Sequence, residues 1–500
     1  MKNAKTLLIY PPLGSDDAFI KDVPLSLLYL AAHSVKSGFT VEILDLRLSP
    51  DWMKSLKEHL TADVMLAGIS VMTGNPIKNA IEITKFIKSN SRSKVIWGGH
   101  HPTMEPESTI KFEGIDYIIR GFGSEALSTL LHELVKKRPS FEKVPALSYR
   151  RNNQIVHNKV LHKWEMIPFR DIPYQLIKHT YEQYNRFGSE ERIMPIFTSL
   201  GCPYQCSFCM APVIYEKMKK KWVTYDIDEV IQHMQYLIQQ FGVTYISVYD
   251  DDSFIDSKRM MTLLRRIIDE KIHLIIDFRG ARINELDKMN DADYEIMVKA
   301  GVRHFQVGLE SGSQKVLDIM NKKINIEQII RVNKRLSRFN LVPLYNLMTG
   351  VPGETVDDII ETKNLVLRLY NDNPNCIVGF PAKFKPLPGT QLYYESIKFG
   401  LKPIELFEEW IKIDTAETDM YFPWYTRKYD KYIKMFQVTS FFLDKKILRE
   451  IQSTTVLNTF LRIAAAIYRP LAMFRLKYNI TWFNVEYMMY IAFRKILGRR

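Results

Sequence analysis

Short apolar runs alternate with longer amphipathic stretches through residues 1–400. Thr6–Tyr10, Thr40–Asp45, Val64–Ser70, Val95–Trp97 and Tyr117–Ile119 read as strands; Ser26–Ser37, Ile77–Ser89 and Glu125–Val135 read as helices. The first helix puts Leu27, Leu28, Leu30, Ala31 and Val35 to one side and runs into Gly38, the residue type that ends helices in the left-handed conformation. Strands alternating with helices predict a parallel sheet covered on both faces, with ligands beyond the carboxyl ends of its strands.

The rhythm breaks over 136–190. A basic tract at Lys136–Arg138, a hairpin around Asn152–Asn153 and the pair Pro168 and Pro173 predict a small sheet and an extended linker. It resumes at Arg192 with strands expected at Ile193–Thr198, Tyr245–Tyr249, Ile272–Phe278, His304–Gly308, Leu344–Met348 and Ile377–Phe384, and a helix at Val230–Phe241. Unusual residues follow these strands: a cysteine loop, then DDDSF, LESGS, TGVPGET and KPLPGT. Catalytic groups of a β/α barrel collect at such strand ends. Past residue 400 the chain reads as helices, with Pro and Gly rare after Pro423. The units expected are 1–140, a connector 141–190, a barrel 191–400 and a helical domain 401–500.

The cysteine loop carries the sharpest chemistry. GCPYQCSFCM places Cys202, Cys206 and Cys209 as CxxxCxxC, three of the four cysteines in the chain. Three thiolates at this spacing can hold an iron–sulfur cluster and leave one position open. A structural zinc site takes four ligands, and no fourth Cys or His stands close by: His233, the nearest downstream, falls in an expected helix, and Cys376 is far off. A zinc knuckle closed at a distance, or three structural cysteines, are the plainer readings. Cys376 precedes the sixth strand and reads as a packed thiol.

With an aromatic residue, Phe208, before the last cysteine, this loop resembles the signature of the radical S-adenosylmethionine (SAM) enzymes. The resemblance implies a 4Fe–4S cluster on Cys202, Cys206 and Cys209, with SAM chelating its fourth iron and yielding a 5′-deoxyadenosyl radical. It places Phe208, Asp251, Asp252, Arg282, Glu310, Ser311, Gly350, Pro352 and Gly353 around SAM. Asp251 and Asp252 would lie near the methionine amino group, and Arg282 would pair with the carboxylate, with Arg279 as its substitute. Glu310 and Ser311 would reach the carboxylate and ribose, and GVPGET the adenine. Rim solvation or helix capping is the plainer role for the charged members.

PLSLLYLAAHSVKSG, GGHHPT and GFGSE are similar to the cobalamin-binding domain of one radical SAM branch. That implies cobalamin contacts at Ser70, Thr73, Gly98, Gly99, His101, Thr103 and Gly121. The DxHxxG motif that supplies a cobalt ligand is absent, since the first strand leads into YPPLGSDDAF. A lower cobalt face without histidine follows, and His100 and His101 read as loop-packing or tail-contact residues. The plainer alternative is a flavodoxin-like domain holding another nucleotide or nothing.

The implied architecture is an N-terminal flavodoxin-like (Rossmann-like) cobalamin-binding domain, a partial (β/α)6 TIM-like radical SAM barrel and a helical C-terminal domain. The implied activity is methylation of an unactivated carbon of a small-molecule or lipid-like substrate, with flavodoxin or ferredoxin as reductant. Radical oxidation or cyclisation without methyl transfer, as in anaerobic Mg-protoporphyrin ester cyclases, and a non-catalytic sensor are the alternatives. Composition agrees with a folded protein, 46% hydrophobic and 25% charged. The net charge of +13 comes without an arginine-rich tail or zinc-finger spacing, which argues against nucleic acid. No export signal or run of about eighteen apolar residues stands out. A cytoplasmic protein is expected, peripheral to the inner face of the membrane if its last helices bind there. Those helices are basic, with Arg462, Arg469, Arg475, Lys477, Arg494, Lys495, Arg499 and Arg500 against Glu486 in 451–500. Basic amphipathic helices can lie in a membrane interface, and a cap over the barrel mouth is the other reading.

Overall fold

The computed structural model describes residues 4–14, 17, 20–186, 189–379, 381–413, 422–443, 456–482 and 487–488. Of the sequence features above, Glu486 and the cations Arg494, Lys495, Arg499 and Arg500 lie outside them.

Strands β1 (Lys5–Tyr10), β2 (Thr40–Asp45), β3 (Val64–Ser70), β4 (Lys94–Gly98) and β5 (Tyr117–Ile119) form a parallel sheet in the order β2-β1-β3-β4-β5. This is the flavodoxin-like order. The central strands are mostly apolar because both faces are covered, while the edge strand Thr40–Asp45 (TVEILD) carries polar residues. Leu7 and Ile9 enter one core and Leu8 the other; Val95 and Trp97 are divided from Ile96 in the same way. Helices Leu25–Lys36 and Ser124–Leu134 cover the second face through Leu27, Ala31, Leu127 and Leu130. Gly38 follows the first of them at φ +83°, as its position in the sequence requires.

The hairpin at Asn152–Asn153 is present, with both residues left-handed (φ 50° and 62°), the backbone that two-residue hairpin turns need. Its strands β6 (Leu147–Arg151) and β7 (Gln154–His157) do not make a separate sheet. β6 pairs antiparallel with β5, so the hairpin lengthens the first sheet past residue 140.

The second sheet is parallel in the order β8 (Ile193–Ile196), β9 (Tyr245–Val248), β10 (Ile275–Ala281), β11 (Val302–Glu310), β12 (Val342–Thr349), β13 (Ile377–Val378). It is a partial barrel. Pro195 sits on its edge strand β8, where a missing N–H is tolerated. The third strand is displaced from Ile272–Phe278 to Ile275–Ala281. The sixth is split: β13 and β14 (Ala382–Lys383) both pair with β12, on either side of Pro381, which cannot donate to a ladder. Cys376 is buried just before β13 as a packed thiol.

Caps fix the helices that aim the strand-end loops. Asp226 caps Ile227–Phe241, which ends at the left-handed Gly242. Thr355 and Asp358 form a reciprocal capping box at the start of Val356–Asp372. Beyond residue 400, helices Arg427–Phe441 and Val456–Tyr478 pack on one another and on Val356–Asp372.

The two sheets meet along a seam of rings. Tyr29 stands edge-on to Phe197 at 5.4 Å, and Trp164 packs on Phe122 at 5.3 Å and Tyr215 at 4.9 Å. Tyr249 Oη donates to Asp22, joining the end of the second barrel strand to the first domain.

Candidate functional site

The cysteine loop leaves β8 through a backbone that only glycine allows. Gly201 has φ +90°, and a Cβ there would overlap the Lys221 carbonyl and the Trp164 ring. Asp250 holds the approach: its buried carboxylate accepts from the amides of Thr198 (2.7 Å) and Ser199 (3.0 Å). Farther along, Ser207 N donates to Met320 O at 3.0 Å, Ser207 Oγ to Ile319 O at 2.9 Å, and Asn321 Nδ2 to Gln205 O at 2.6 Å. The loop between the cysteines is therefore clamped from the turn that ends helix Gln314–Ile319.

Donors point at the sulfurs. Cys209 Sγ accepts from Ala211 N at 3.4 Å, and Arg282 Nη1 lies 3.3 Å from Cys206 Sγ. Such contacts stabilise thiolates, the form that binds metal. Burial pushes the Cys209 thiol up to about 11 and the Cys202 thiol higher still, Cys202 being raised further by Asp252 and Asp251. Cluster binding must therefore displace protons. Among the described residues no three His, Cys, Asp or Glu side chains gather tightly enough to share one ion. A cubane does not require that, because each cysteine binds a different iron.

Asp251 and Asp252 occupy the end of β9 as expected. Asp251 accepts from Gly201 N (3.1 Å) and Tyr215 Oη (3.2 Å). Asp252 is fully buried, accepts from Phe254 N at 3.0 Å through one oxygen, and has no hydrogen-bond partner for Oδ2. Burial lifts its carboxyl to about 6. A buried carboxylate oxygen left over beside a cysteine fits an ammonium ligand such as the amino group of SAM.

Arg282 is committed differently from the bidentate carboxylate clamp expected of it. Its guanidinium stacks on Tyr204 at 3.9 Å, donates to Lys322 O and to Asn284 Oδ1 (3.2 Å), and turns Nη1 to Cys206. Arg279 is drawn away too, 3.9 Å from both Asp22 and Asp277. The cation nearest Glu310 is Lys322, whose Nζ donates to Glu310 at 2.8 Å with both side chains buried, and lies 5.6 Å above the Phe208 ring. Glu310 holds φ +69°, an uncommon backbone for a non-glycine residue, as the strand turns into the LESGS loop. The sequence reading missed Lys322, which lies twelve residues beyond Glu310.

Ser311 turns away from the barrel mouth. Its hydroxyl meets Thr362 Oγ1 at 2.9 Å and accepts from Ser313 N at 3.1 Å, locking the loop to helix Val356–Asp372. Gly350 (φ +92°) and Gly353 (φ +86°) form the tight GVPGE turn around buried Pro352. The helical domain grips this turn: Trp424 Nε1 donates to Gly350 O at 3.1 Å, and Tyr429 Oη to buried Glu354 at 2.5 Å. Burial lifts the Glu354 carboxyl to about 7, against those hydrogen bonds. These aromatic contacts cross about seventy residues of chain and carry no local sequence signal.

The seven first-sheet positions converge at the carboxyl ends of β3, β4 and β5. Thr103 Oγ1 donates to Gly99 O (2.7 Å) and accepts from Gly121 N (2.9 Å), tying two loops together. Gly99 (φ +99°) passes so near β3 that a Cβ would lie 2.8 Å from Val71 O and 3.4 Å from Ser70 Oγ. Gly121 (φ +74°) faces open space. His101 is fully buried, 3.3 Å from Thr73 Oγ1 and packed on Phe407 and Trp410. Burial lowers its pKa to about 3, so it is a neutral packing residue and does not line the rim. His100 is the ring that looks out, solvent-accessible and within electrostatic reach of Asp251. Met104 Cε similarly sits against Gly389 in the KPLPGT loop. The carboxyl-end loops of the two sheets thus approach one another.

Residues 196–366 match the Radical SAM superfamily and residues 23–131 the B12 binding domain. An uncharacterized methyltransferase of Pyrococcus horikoshii is 27% identical, with 90% of this chain and 94% of that protein covered. The anaerobic magnesium-protoporphyrin IX monomethyl ester cyclase of Rubrivivax gelatinosus is 24% identical over 78% of this chain and 70% of its own. Among solved structures, the cobalamin-dependent SAM radical enzyme OxsB superposes with TM-score 0.71 at 17% identity, covering 95% of this chain and 72% of its own. The radical SAM methyltransferase TsrM from Kitasatospora setae gives 0.64 at 18% identity, covering 79% and 75%. At these identities the superpositions establish the fold.

Proposed function

The chain joins a B12 binding domain to a radical SAM domain, and we propose that it methylates an unactivated carbon of a small-molecule or lipid-like substrate held between them. The observation that carries this reading is the approach of the two sets of strand ends to one another, with His100 within electrostatic reach of Asp251 and Met104 against Gly389. When bound, the cluster with SAM supplies a 5′-deoxyadenosyl radical, and cobalamin supplies the methyl group.

The residues divide the work as follows. Cys202, Cys206 and Cys209 hold the cluster, with Arg282 balancing the charge on Cys206. Asp252 takes the amino group of SAM and Lys322, paired with Glu310, its carboxylate. Phe208 and the Gly350–Pro352–Gly353 turn bound the adenosine, and Ser311 fixes the loop below it. Ser70, Thr73, Gly98, Gly99 and Gly121 cradle cobalamin, while His101 and Thr103 position their loops. The labour falls on a first unit that runs through the hairpin to His157, on 191–400 and on 401–500. Partly buried polar positions of the barrel sheet alternate with core residues, and Gln306 and Asn346, bonded to one another at 3.4 Å, offer further hydrogen bonds to a polar part of the substrate. Flavodoxin or ferredoxin feeds electrons to an enzyme of the cytoplasm.

Anaerobic reconstitution with iron, sulfide and cobalamin, followed by mass spectrometry of SAM products, tests the reading. Methionine and 5′-deoxyadenosine should form, and Cys206→Ser should abolish both together with bound iron. Full cleavage by that variant would contradict the assignment. The resemblance to the ester cyclase favours a second reading, radical oxidation without methyl transfer. A methyl label on SAM that reaches product supports the first reading; one that stays out supports the second.

A further inference from the structure

Helix Val456–Tyr478 presents two apolar faces where a cap needs one. Its inner face is seated. Ala472 and Leu476 are fully buried, Tyr468 packs on Phe442 at 4.7 Å, and Asn479 just beyond the helix accepts from Lys363 at 2.9 Å. Buried Arg475 donates to Tyr468 Oη at 2.9 Å and to Ile480 O at 3.3 Å. The outer face is a separate stripe of Ile463, Ile467, Leu471, Phe474 and Tyr478, each at least half exposed and Ile467 the most, at 73%. At ~100° per residue these five fall within an arc of ~80°. Trp482 continues the stripe just past the helix, 67% exposed.

Monomeric proteins rarely leave such a continuous apolar patch in water. No helix among the described residues is long and apolar enough to cross a membrane. The surrounding sequence is strongly cationic: 451–500 holds eight Lys and Arg against one acid, a formal +7 of the chain's +13. Two copies meeting through this face would bring like charges together. An anionic lipid surface complements the cations and accepts the stripe, and the Trp and Tyr at its end are the residue types that settle at headgroup level.

We propose that this stripe lies in the headgroup layer of an anionic bilayer, with the helix axis parallel to the surface. Its failure and that of the radical reading are distinguishable, because flotation needs no SAM cleavage and SAM cleavage needs no vesicles. Full-length protein purified without detergent is floated with vesicles of phosphatidylcholine alone or with about one quarter phosphatidylglycerol. Binding to the anionic vesicles should be about tenfold stronger and should weaken at high salt. Ile467→Glu/Phe474→Glu should lower it by about tenfold, with iron content and melting temperature unchanged. Quenching by bromine-labelled lipid chains should fall in Trp482→Phe. Equal recovery with both vesicle types, or undiminished binding by the double variant, would overturn the proposal. So would a lipid-free dimer that the double variant dissolves while vesicles bind nothing.

Discussion

The rims of the two sheets approach one another and are built from opposite materials. The first rim is glycine and hydroxyl: Gly98, Gly99, Gly121, Ser70, Thr73 and Thr103, held by backbone contacts and with its one inward histidine kept neutral. The barrel rim is charge, most of it buried: Asp250 and Asp252 with solvent-accessible Asp251 between them, Glu310 with Lys322, and Arg282 beside a cysteine. The difference matches what each would hold. A large planar cofactor needs close backbone approach, whereas SAM brings an ammonium and a carboxylate that need buried partners. Burial makes the second rim costly and selective, and on the first it keeps His101 neutral.

The comparison is broken most severely at Lys322. Lys322→Met strands the Glu310 carboxylate in a buried site and should cost about 3–5 kcal/mol in urea denaturation, with SAM affinity lost. Glu310→Gln/Lys322→Met should recover most of the stability and none of the affinity; recovery of both would remove Lys322 from the SAM site. Next is Glu354, where the cap grips the barrel rim. Its folded carboxyl titrates near 7, above the ordinary 4.5, so the stability it contributes is complete below 4.5 and is lost as pH rises through 7. Thermal melts should show about 3 kcal/mol less stability at pH 8 than at pH 4.5 from this group, and Glu354→Gln should flatten that slope. The smallest effect belongs to the neutral rim. His101→Leu should change cobalamin affinity less than about twofold in an absorbance titration, since a buried neutral ring packed on aromatics is replaced by another apolar group. A large loss would return His101 to the cofactor.

Much of this arrangement was legible because it is local. The first sheet's strands are apolar runs between turn residues, and each barrel strand runs straight into its unusual loop, so Cys202 to Cys209 and Asp251 and Asp252 could be placed from order alone. Ile272–Phe278 misled because its apolar start, Ile272 to Leu274, packs below the sheet while the paired strand continues through polar Arg279 to Ala281. The connector hairpin looked self-contained because strand pairing with Tyr117–Ile119 leaves no trace in its own residues. Tyr204 and Tyr429 were invisible for the same reason, their partners being far off in the chain and near only in the fold, whereas Lys322 is brought back to Glu310 by helix Gln314–Ile319 between them.

The account stands on the two rims approaching one another. Paramagnetic resonance on chain carrying both a reduced cluster and cob(II)alamin reads this directly. Spins held on the two rims should couple, broadening the cobalt signal and speeding its relaxation, and Cys206→Ser should restore the uncoupled spectrum. A cobalt signal that is the same with and without the reduced cluster would contradict it.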